Sequence, residues 1–258
     1  MTSVTKLWPI LTATHQYDKS ISTLNRGAGQ MIEAPILAYL IETNNGRILY
    51  DVGCDYNKIN KAAMREKYYK PALGFAAPVM DEAQRLPNQL ARMGLTIQDI
   101  DIIFISHLHF DHAGGLCDCG HAEVHVQADE LAHASTEDVA YFDNEIIKQT
   151  NWQVKRGEYD LAPGVRAISS PGHTAGHMSL WIEMPQGTPI ILAGDAADLT
   201  ENIVDEVAPG HCWQDQTELA VASIRKLKKI TQAEKATLWP NHDMAFWRTL
   251  KTFPSYHT

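Results

Sequence analysis

Short runs of apolar residues recur along the chain, and most are closed by a turn signal or a polar segment. Ile36–Glu42 and Arg47–Val52 are strand-like, and Asn44-Asn45-Gly46 between them is typical of a hairpin turn. Similar short runs predict further strands at Ile102–Ile105, Val124–Val126, Val165–Ser169, Met178–Glu183, Pro189–Leu192 and Thr237–Trp239. The pattern therefore predicts a protein rich in short, largely buried strands.

Helical spacing appears between these strands. Pro87–Met93 predicts a helix that ends at Gly94, and Asp129 is placed to cap a short helix that extends to His133. Asp215–Ile230 gives the clearest helix, with an apolar stripe, an acidic start and a lysine-rich end. No linker rich in proline or serine interrupts the chain, so the sequence predicts one α/β domain over residues 1–258.

Composition narrows the class of protein. Apolar residues make up 45% of the 258 residues, and 31 Asp+Glu against 22 Lys+Arg give a formal charge of −9. This balance is typical of a globular protein and argues against nucleic acid as a partner. The longest apolar run, Pro35–Ile41, is too short for a membrane helix. The amino terminus lacks the pattern of a secretory signal, and four cysteines in a chain of this length do not indicate a disulfide scaffold. We therefore expect a cytoplasmic protein.

The twelve histidines change this picture because several of them cluster. His107, His109, Asp111 and His112 lie in the segment SHLHFDH, directly after the predicted strand Ile102–Ile105. Imidazole and carboxylate groups form a ligand set that suits zinc. Side chains alternate at the end of a strand, so His107 and His109 can bind one metal, and after the turn Asp111 and His112 point towards a second.

Three more residues of ligand type each follow a predicted strand, namely His173, Asp195 and His242. Strand ends that follow one another in a sheet meet at one edge, so we expect these side chains to converge on the SHLHFDH segment. The pair Cys117-Asp118-Cys119 also resembles a chelating motif, but we interpret it as incidental. The sequence thus predicts a metal site with two positions.

The segments HLHFDH, GHT, GDA and NHD together resemble the metallo-β-lactamase superfamily. This resemblance implies a four-layer αββα sandwich with a dinuclear metal site. Longer pieces between Pro35 and Asp243, such as PILAYLIETNNGRILYDVG and SPGHTAGHMSLWIE, are similar to the N-acyl-homoserine lactone lactonase branch. That branch implies a quorum-quenching hydrolase. Tyr56–Asp81 is the segment that resembles it least.

The resemblance implies two Zn²⁺ per chain and a role for each candidate ligand. The first metal would be bound by His107, His109 and His173, the second by Asp111, His112 and His242, and both by Asp195 as a bridging group. Imidazole at position 109, where the diiron flavoprotein branch carries glutamate, favours zinc over a redox iron pair.

Other residues near the motifs are expected to have supporting roles. Asp51 and His177 are expected to support the ligands from behind. Surface or core positions are expected for the remaining histidines, which are His15, His121, His125, His133, His211 and His257.

The implied reaction is the opening of a lactone ring by attack of a metal-bound hydroxide on the carbonyl carbon. We assign catalytic roles to Asp111, which is also a ligand, and to Asp198. The lactonase branch carries a tyrosine three residues after the bridging aspartate, and this chain has Asp198 there. Asp198 is interpreted either as a proton acceptor and donor, with Tyr17 or Tyr141 as alternative donors, or as a cap of the following turn.

This departure leaves a second hypothesis open, namely hydrolysis of another cyclic acyl compound such as a γ-lactam or a cyclic carbamate. A nuclease of the same superfamily is disfavoured by the charge of −9. The expected partner is a small cyclic ester or amide, without nucleic acid or membrane, and the protein is expected to be a monomer or a homodimer. Tyr56–Asp81 is predicted to form a pocket wall or a dimer contact.

Overall fold

The computed structural model describes residues 2–73, 76–120, 122–134, 140–141 and 148–258. Two β-sheets form its centre. The strands of the first sheet are β1 (Val4–Asp18), β2 (Met31–Thr43), β3 (Gly46–Tyr50), β4 (Ile102–Phe104), β5 (Glu123–Gln127) and β6 (Trp152–Lys155). Those of the second are β7 (Tyr159–Ala162), β8 (Val165–Ser169), β9 (Met178–Ile182), β10 (Ile190–Leu192) and β11 (Thr237–Trp239).

The order of strands brings several carboxyl ends to the same edge. In the first sheet the order is β1 to β6, antiparallel through β3 and parallel from β3 to β6. In the second sheet the order is β11-β10-β9-β8-β7, with β10 and β11 parallel. The loops after β4, β8, β10 and β11 are the ones in which the sequence places candidate ligands. The predicted hairpin is confirmed, since β2 and β3 pair across the Asn44-Asn45-Gly46 turn.

Apolar side chains fill the space between the two sheets. Leu7 and Tyr39 of the first sheet belong to the same buried cluster as Leu180, Ile182 and Leu192 of the second. Burial of such side chains is the main favourable term in folding.

Helices cover the outer faces of both sheets. The helices of the described residues, not all of which lie on these faces, are α1 (Tyr56–Asn60), α2 (Ala62–Leu73), α3 (Leu86–Arg92), α4 (Phe110–Ala113), α5 (Ala128–His133), α6 (Thr200–Asp205), α7 (Thr217–Glu234) and α8 (Met244–Trp247). Leu90 of α3 packs on the outside of the first sheet, and Leu227 of α7 on the outside of the second. The predicted four-layer αββα sandwich is therefore confirmed. None of the helices in the described ranges is long and apolar enough to cross a membrane.

Two predicted helix starts are wrong, although both helices exist. α7 begins at Thr217 after Gln216, and Asp215 lies in a preceding 3-10 turn with φ of 56°. Asp129 does not cap α5, because it already lies in the first turn. There its negative charge lies at the positive end of the helix dipole. Aspartate is favoured at this position as well as at the cap, so the sequence alone does not distinguish the two.

The longest strand is one that the pattern did not predict. β1 runs from Val4 to Asp18 at the edge of the first sheet, and its pairing with β2 shifts register between Leu11 and Ala13. Pro9 lies within β1, and an edge strand tolerates proline because one of its sides needs no ladder hydrogen bond. The register shift and the burial of both faces remove the simple alternation that marks a strand in sequence.

Candidate metal centre

Loops at the ends of strands bring all seven predicted ligands to one cavity edge. The segment from His107 to His112 follows β4, and His173 follows β8. Asp195 follows β10 and His242 follows β11. The cavity has a volume of about 350 Å³, and its wall includes His109, Asp111, His173, Asp195, Asp198 and His242.

Three histidines form the first ligand set, which we define as His107, His109 and His173. Their ligand atoms lie within 4.8 Å of one another and all three residues are buried. Nε2 of His173 lies 3.0 Å from Nδ1 of His109, and the rings of His107 and His109 are 4.5 Å apart. Three imidazoles at this spacing can bind one Zn²⁺.

The second ligand set consists of Asp111, His112 and His242, whose ligand atoms also lie within 4.8 Å of one another. The Asp111 oxygens are 3.7 Å from Nε2 of His112 and 3.7 Å from Nε2 of His242. Asp111 is partly exposed to the cavity, whereas the two imidazoles are buried. Two imidazoles and a carboxylate form a second site of the zinc type.

Asp195 lies between the two sets. Its Oδ1 is 3.2 Å from Nε2 of both His112 and His242, and its Oδ2 is 3.7 Å from Nε2 of His107 and 3.4 Å from Nε2 of His173. Oδ1 thus faces the second ligand set and Oδ2 reaches the first, while Nε2 of His242 also lies 3.3 Å from Oδ2, so one buried carboxylate contacts both sets. This is the arrangement that a bridging ligand requires.

The state of the donor atoms fits a metal. Nε2 of His107 is buried and makes no hydrogen bond within the described chain. Burial and the neighbouring imidazoles lower the pKa of His107 well below its usual value, and burial does the same for His173. Neutral imidazole is the form that binds a cation, so these residues are suited to be ligands.

The Asp195 carboxylate controls the charge of the second set. Burial acts to raise its pKa, but His112 and His242 hold it well below the usual value. In return Asp195 overcomes the effect of burial and raises the pKa of His112, and it raises that of His242 to about 10. Both imidazoles therefore take a proton when no other cation neutralises the carboxylate, and a metal would compete with that proton.

Buried hydrogen bonds orient the ligands from behind. Asp51 Oδ2 lies 2.8 Å from Nδ1 of His112, and the same carboxylate accepts from the backbone N–H and the hydroxyl of Ser106 at 2.7 and 2.8 Å. Nε2 of His177 accepts from the Asp195 backbone N–H at 2.9 Å, and its Nδ1 is 2.9 Å from Ser170 Oγ. Asp51 and His177 lie behind the ligands, as expected from the sequence.

Asp198 faces the cavity. It is 4% exposed, and its Oδ1 has no hydrogen-bond partner within the described chain. Burial and the Asp195 carboxylate raise the pKa of Asp198 to about 8. The capping alternative is wrong, because the Thr200 N–H and hydroxyl at the start of α6 donate to Asp243.

Two tyrosines were alternative donors, and the structure separates them. Tyr17 lines the cavity, with its hydroxyl 2.9 Å from Ser22 Oγ. Tyr141 packs its ring 4.7 Å from that of His109 and donates its hydroxyl to Glu130 at 2.7 Å. Tyr17 is therefore the better placed of the two to act on a bound molecule.

The sequence did not reveal that two of the remaining histidines line the cavity. His15 and His211 line the cavity, whereas surface or core positions were expected for both. They come from the end of β1 and from the loop between α6 and α7, and neither segment carries a recognisable motif. His121 lies outside the described residues.

The segment Tyr56–Asp81 contributes to the cavity from behind its wall. Tyr69 is buried and packs edge-on against the ring of Phe110 at 5.4 Å, and Phe110 lines the cavity. Phe75 lies outside the described residues. The pocket-wall prediction thus has support through Tyr69, and the dimer contact stays a prediction.

Comparison with known proteins places this geometry in context. The family described as the metallo-beta-lactamase superfamily matches residues 32–242. Two similar relatives are an N-acyl homoserine lactonase of a Bacillus species and the N-acyl homoserine lactonase AiiA of Bacillus thuringiensis subsp. kurstaki. The chain is 33% identical to each over 254 residues, and each alignment covers 98% of this chain and 99% of the relative. A solved N-acyl homoserine lactone hydrolase, with N-hexanoyl-L-homoserine at its catalytic metal centre, superposes with a TM-score of 0.90 at 33% identity, covering 99% of this chain and 100% of that one.

Proposed function

Because the chain belongs to the metallo-beta-lactamase superfamily, we propose that its two ligand sets bind two Zn²⁺ and that it opens the lactone ring of N-acyl-homoserine lactones. The protein is a metal-dependent hydrolase. The observation that carries the proposal is the position of Asp195, whose two oxygens face the two ligand sets at the floor of a cavity.

Each ligand set would bind one of the two metal ions. His107, His109 and His173 would bind the first ion, Asp111, His112 and His242 the second, and Asp195 would bridge them. Imidazole and carboxylate donors without thiolate or thioether groups suit zinc. When bound, a pair of zinc ions supplies Lewis acidity towards a carbonyl group and lowers the pKa of water towards neutrality.

The cavity holds a lactone against this floor. Ile21 and Phe110 give the cavity apolar wall, which suits an acyl chain, and Tyr17 and Ser20 give it hydroxyl groups. Asp111 faces the cavity from the second ligand set, and we assign it a catalytic role beside its role as a ligand. A volume of about 350 Å³ accommodates a five-membered ring with a short acyl group.

Asp198 is the second catalytic carboxylate of the proposal. The Ser22 hydroxyl hydrogen-bonds its carboxyl group, and the Tyr17 hydroxyl lies 2.9 Å from Ser22 Oγ. If Ser22 donates to Asp198, Tyr17 donates to Ser22, so this chain of hydrogen bonds holds the free Oδ1 towards the cavity. We assign Asp198 to proton exchange with the ring oxygen that leaves when the lactone opens.

The similarity to lactonases along the whole chain favours a lactone over the γ-lactam or cyclic carbamate. Other expectations stay predictions: a single domain over residues 1–258, a cytoplasmic location, no nucleic acid or membrane partner, and a monomer or homodimer.

The test uses the purified protein and two matched substrates. N-hexanoyl-homoserine lactone and the γ-lactam with the same acyl chain are offered separately, and proton release and ring opening are followed. We expect about two zinc equivalents per chain and opening of the lactone only. Removal of zinc with a chelator should abolish activity, and added Zn²⁺ should restore it.

A pair of histidine variants controls this experiment. His109→Ala removes a member of the first ligand set and should lower both zinc content and activity. His125→Ala removes a histidine of β5 that hydrogen-bonds Tyr159 and lies outside the cavity wall, and it should change neither. Full activity of His109→Ala, or lactam opening with the lactone left intact, would contradict the proposal.

A further inference from the structure

We propose that Glu130 is a positioning residue of the metal centre, whose carboxylate fixes the spacing between the two loops that carry the first ligand set. The inference rests on the proposed function and adds a residue that contacts neither the cavity nor the ligand atoms. Glu130 lies in α5 and is completely buried.

Three donors from distant parts of the chain converge on this carboxylate. Oε1 accepts from the Leu108 backbone N–H at 2.8 Å and from the Tyr141 hydroxyl at 2.7 Å. Oε2 accepts from the Gly176 backbone N–H at 3.1 Å. All three hydrogen bonds are buried, so water does not replace them easily.

Each donor lies next to a ligand or in the loop that carries one. Leu108 separates His107 from His109, and its side chain is buried in the apolar cluster outside the first sheet. Gly176 lies in the loop that follows His173. Tyr141 packs its ring edge-on against the ring of His109 at 4.7 Å. One carboxylate thus holds the backbone of both loops that carry the first ligand set, and it also holds the Tyr141 ring, which contacts His109.

Gly176 shows how closely the second loop is held to α5. A Cβ at this position would lie 2.2 Å from the Glu130 backbone nitrogen and 2.5 Å from its Cβ. No side chain fits in that space, so the loop rests directly on the start of the helix. The hydrogen bond to Oε2 and this backbone contact act at the same junction.

The chemistry of the group explains why it is a carboxylate. None of the ion pairs among the described residues includes Glu130, so no cationic side chain offsets the cost of burying its charge. A carboxylate accepts at both oxygens and donates at neither. Glutamine would place an NH₂ group opposite one of the backbone N–H groups, so an amide cannot serve all three donors.

The test is Glu130→Gln, read by zinc affinity. Because two sites would overlap in a titration, the variant is made in a His242→Ala background, which keeps all three residues of the first set. Metal-free protein is titrated with Zn²⁺ against a chelating dye of known affinity. We expect affinity to fall by about 10- to 100-fold, the range for lost outer hydrogen bonds of metal ligands. Tyr141→Phe in the same background removes one donor and should cause a smaller loss.

A control separates positioning from general stability. Leu7→Ala truncates a buried side chain between the sheets, far along β1 from the cavity, and should lower the melting temperature with unchanged zinc affinity. If Glu130→Gln also lowers only the melting temperature, its role is structural and the inference is wrong. If the unmodified protein binds no zinc, the proposed function itself fails, so the two failures are distinguishable.

Discussion

Replacing Asp51 with asparagine tests how far the second ligand set depends on a group that touches no substrate. The Asp51 carboxylate is fully buried and accepts from Ser106 twice and from Nδ1 of His112 once. Its backbone has φ of 58°, in the left-handed region that asparagine tolerates as well as aspartate. The substitution therefore changes the hydrogen bonding and adds little backbone strain.

The expected loss of zinc affinity follows from the hydrogen bond between Asp51 and His112 that the substitution removes. When Nε2 of His112 binds a metal, Nδ1 carries the proton and donates to Asp51 at 2.8 Å. In the Asp51→Asn variant the side-chain oxygen can still accept from Ser106, but the amide nitrogen then faces the His112 N–H as a second donor. A hydrogen bond to a charged group contributes about 1.5–3 kcal/mol. Since each 1.4 kcal/mol corresponds to about tenfold in affinity, we expect zinc binding by the second set to weaken by about 10- to 100-fold.

The assay measures lactone opening as a function of free Zn²⁺. Asp51→Asn should need a higher zinc concentration for half-maximal activity and should recover most of its turnover when zinc is in excess. Ser106→Ala keeps the carboxylate and serves as the milder variant; it removes a hydroxyl that donates to Asp51 at 2.8 Å and lies 3.0 Å from Nδ1 of His107. The reasoning is refuted if Asp51→Asn binds zinc as tightly as the unmodified protein, or if its lost activity does not respond to zinc.

Three further substitutions separate chemistry, geometry and stability. Asp198→Asn should lower kcat for lactone opening by about 100-fold with two zinc ions still bound, measured by kinetics and metal analysis, and unchanged kcat would remove Asp198 from the mechanism. Gly194→Ala should weaken zinc binding and lower the unfolding free energy by at least about 1–2 kcal/mol. The reason is that Gly194 has φ of 57°, and a Cβ there would lie 2.6 Å from both His177 and Tyr50. A zinc titration like that of the unmodified protein would contradict this prediction. Ile41→Ala, in the core between the sheets, should cost about 2–5 kcal/mol in denaturant unfolding and leave kcat/KM unchanged, and a loss of catalysis in the folded variant would contradict this.

The sequence predicted those elements of the fold that depend on neighbouring residues in the chain. The hairpin at Asn44-Asn45-Gly46 depends on turn residues, and the strand Val165–Ser169 depends on one short apolar run. β1 was missed because its register shift and its two buried faces depend on β2 and on the second sheet, which no local window contains. The starts of α5 and α7 were misplaced because aspartate is common around helix starts generally: Asp129 lies in the first turn of α5, and Asp215 lies in a 3-10 turn before α7.

The candidate site divides in the same way. Residues such as His107 and Asp195 could be predicted because they lie in dense motifs directly after strands. His15 and His211 lie in segments without a motif, and only the folded chain brings them to the cavity. Glu130 gave no signal, since its partners Leu108 and Gly176 are 22 and 46 residues away.

The charges around the cavity connect the metals to the fold. Asp51, Asp195 and Asp198 are each 5% exposed or less, and Asp111 is only slightly more open. None of the described residues that line the cavity is a lysine or an arginine. Carboxylates buried together without cations repel one another and lose their hydration, so each needs a compensating positive charge. In the absence of metal, the protons on His112 and His242 supply part of that charge, and a bound cation would take their place. Two divalent cations would compensate the Asp111 and Asp195 carboxylates, and burial favours a proton on Asp198, whose pKa is raised to about 8, so this edge of the sandwich can hold several carboxyl groups at once.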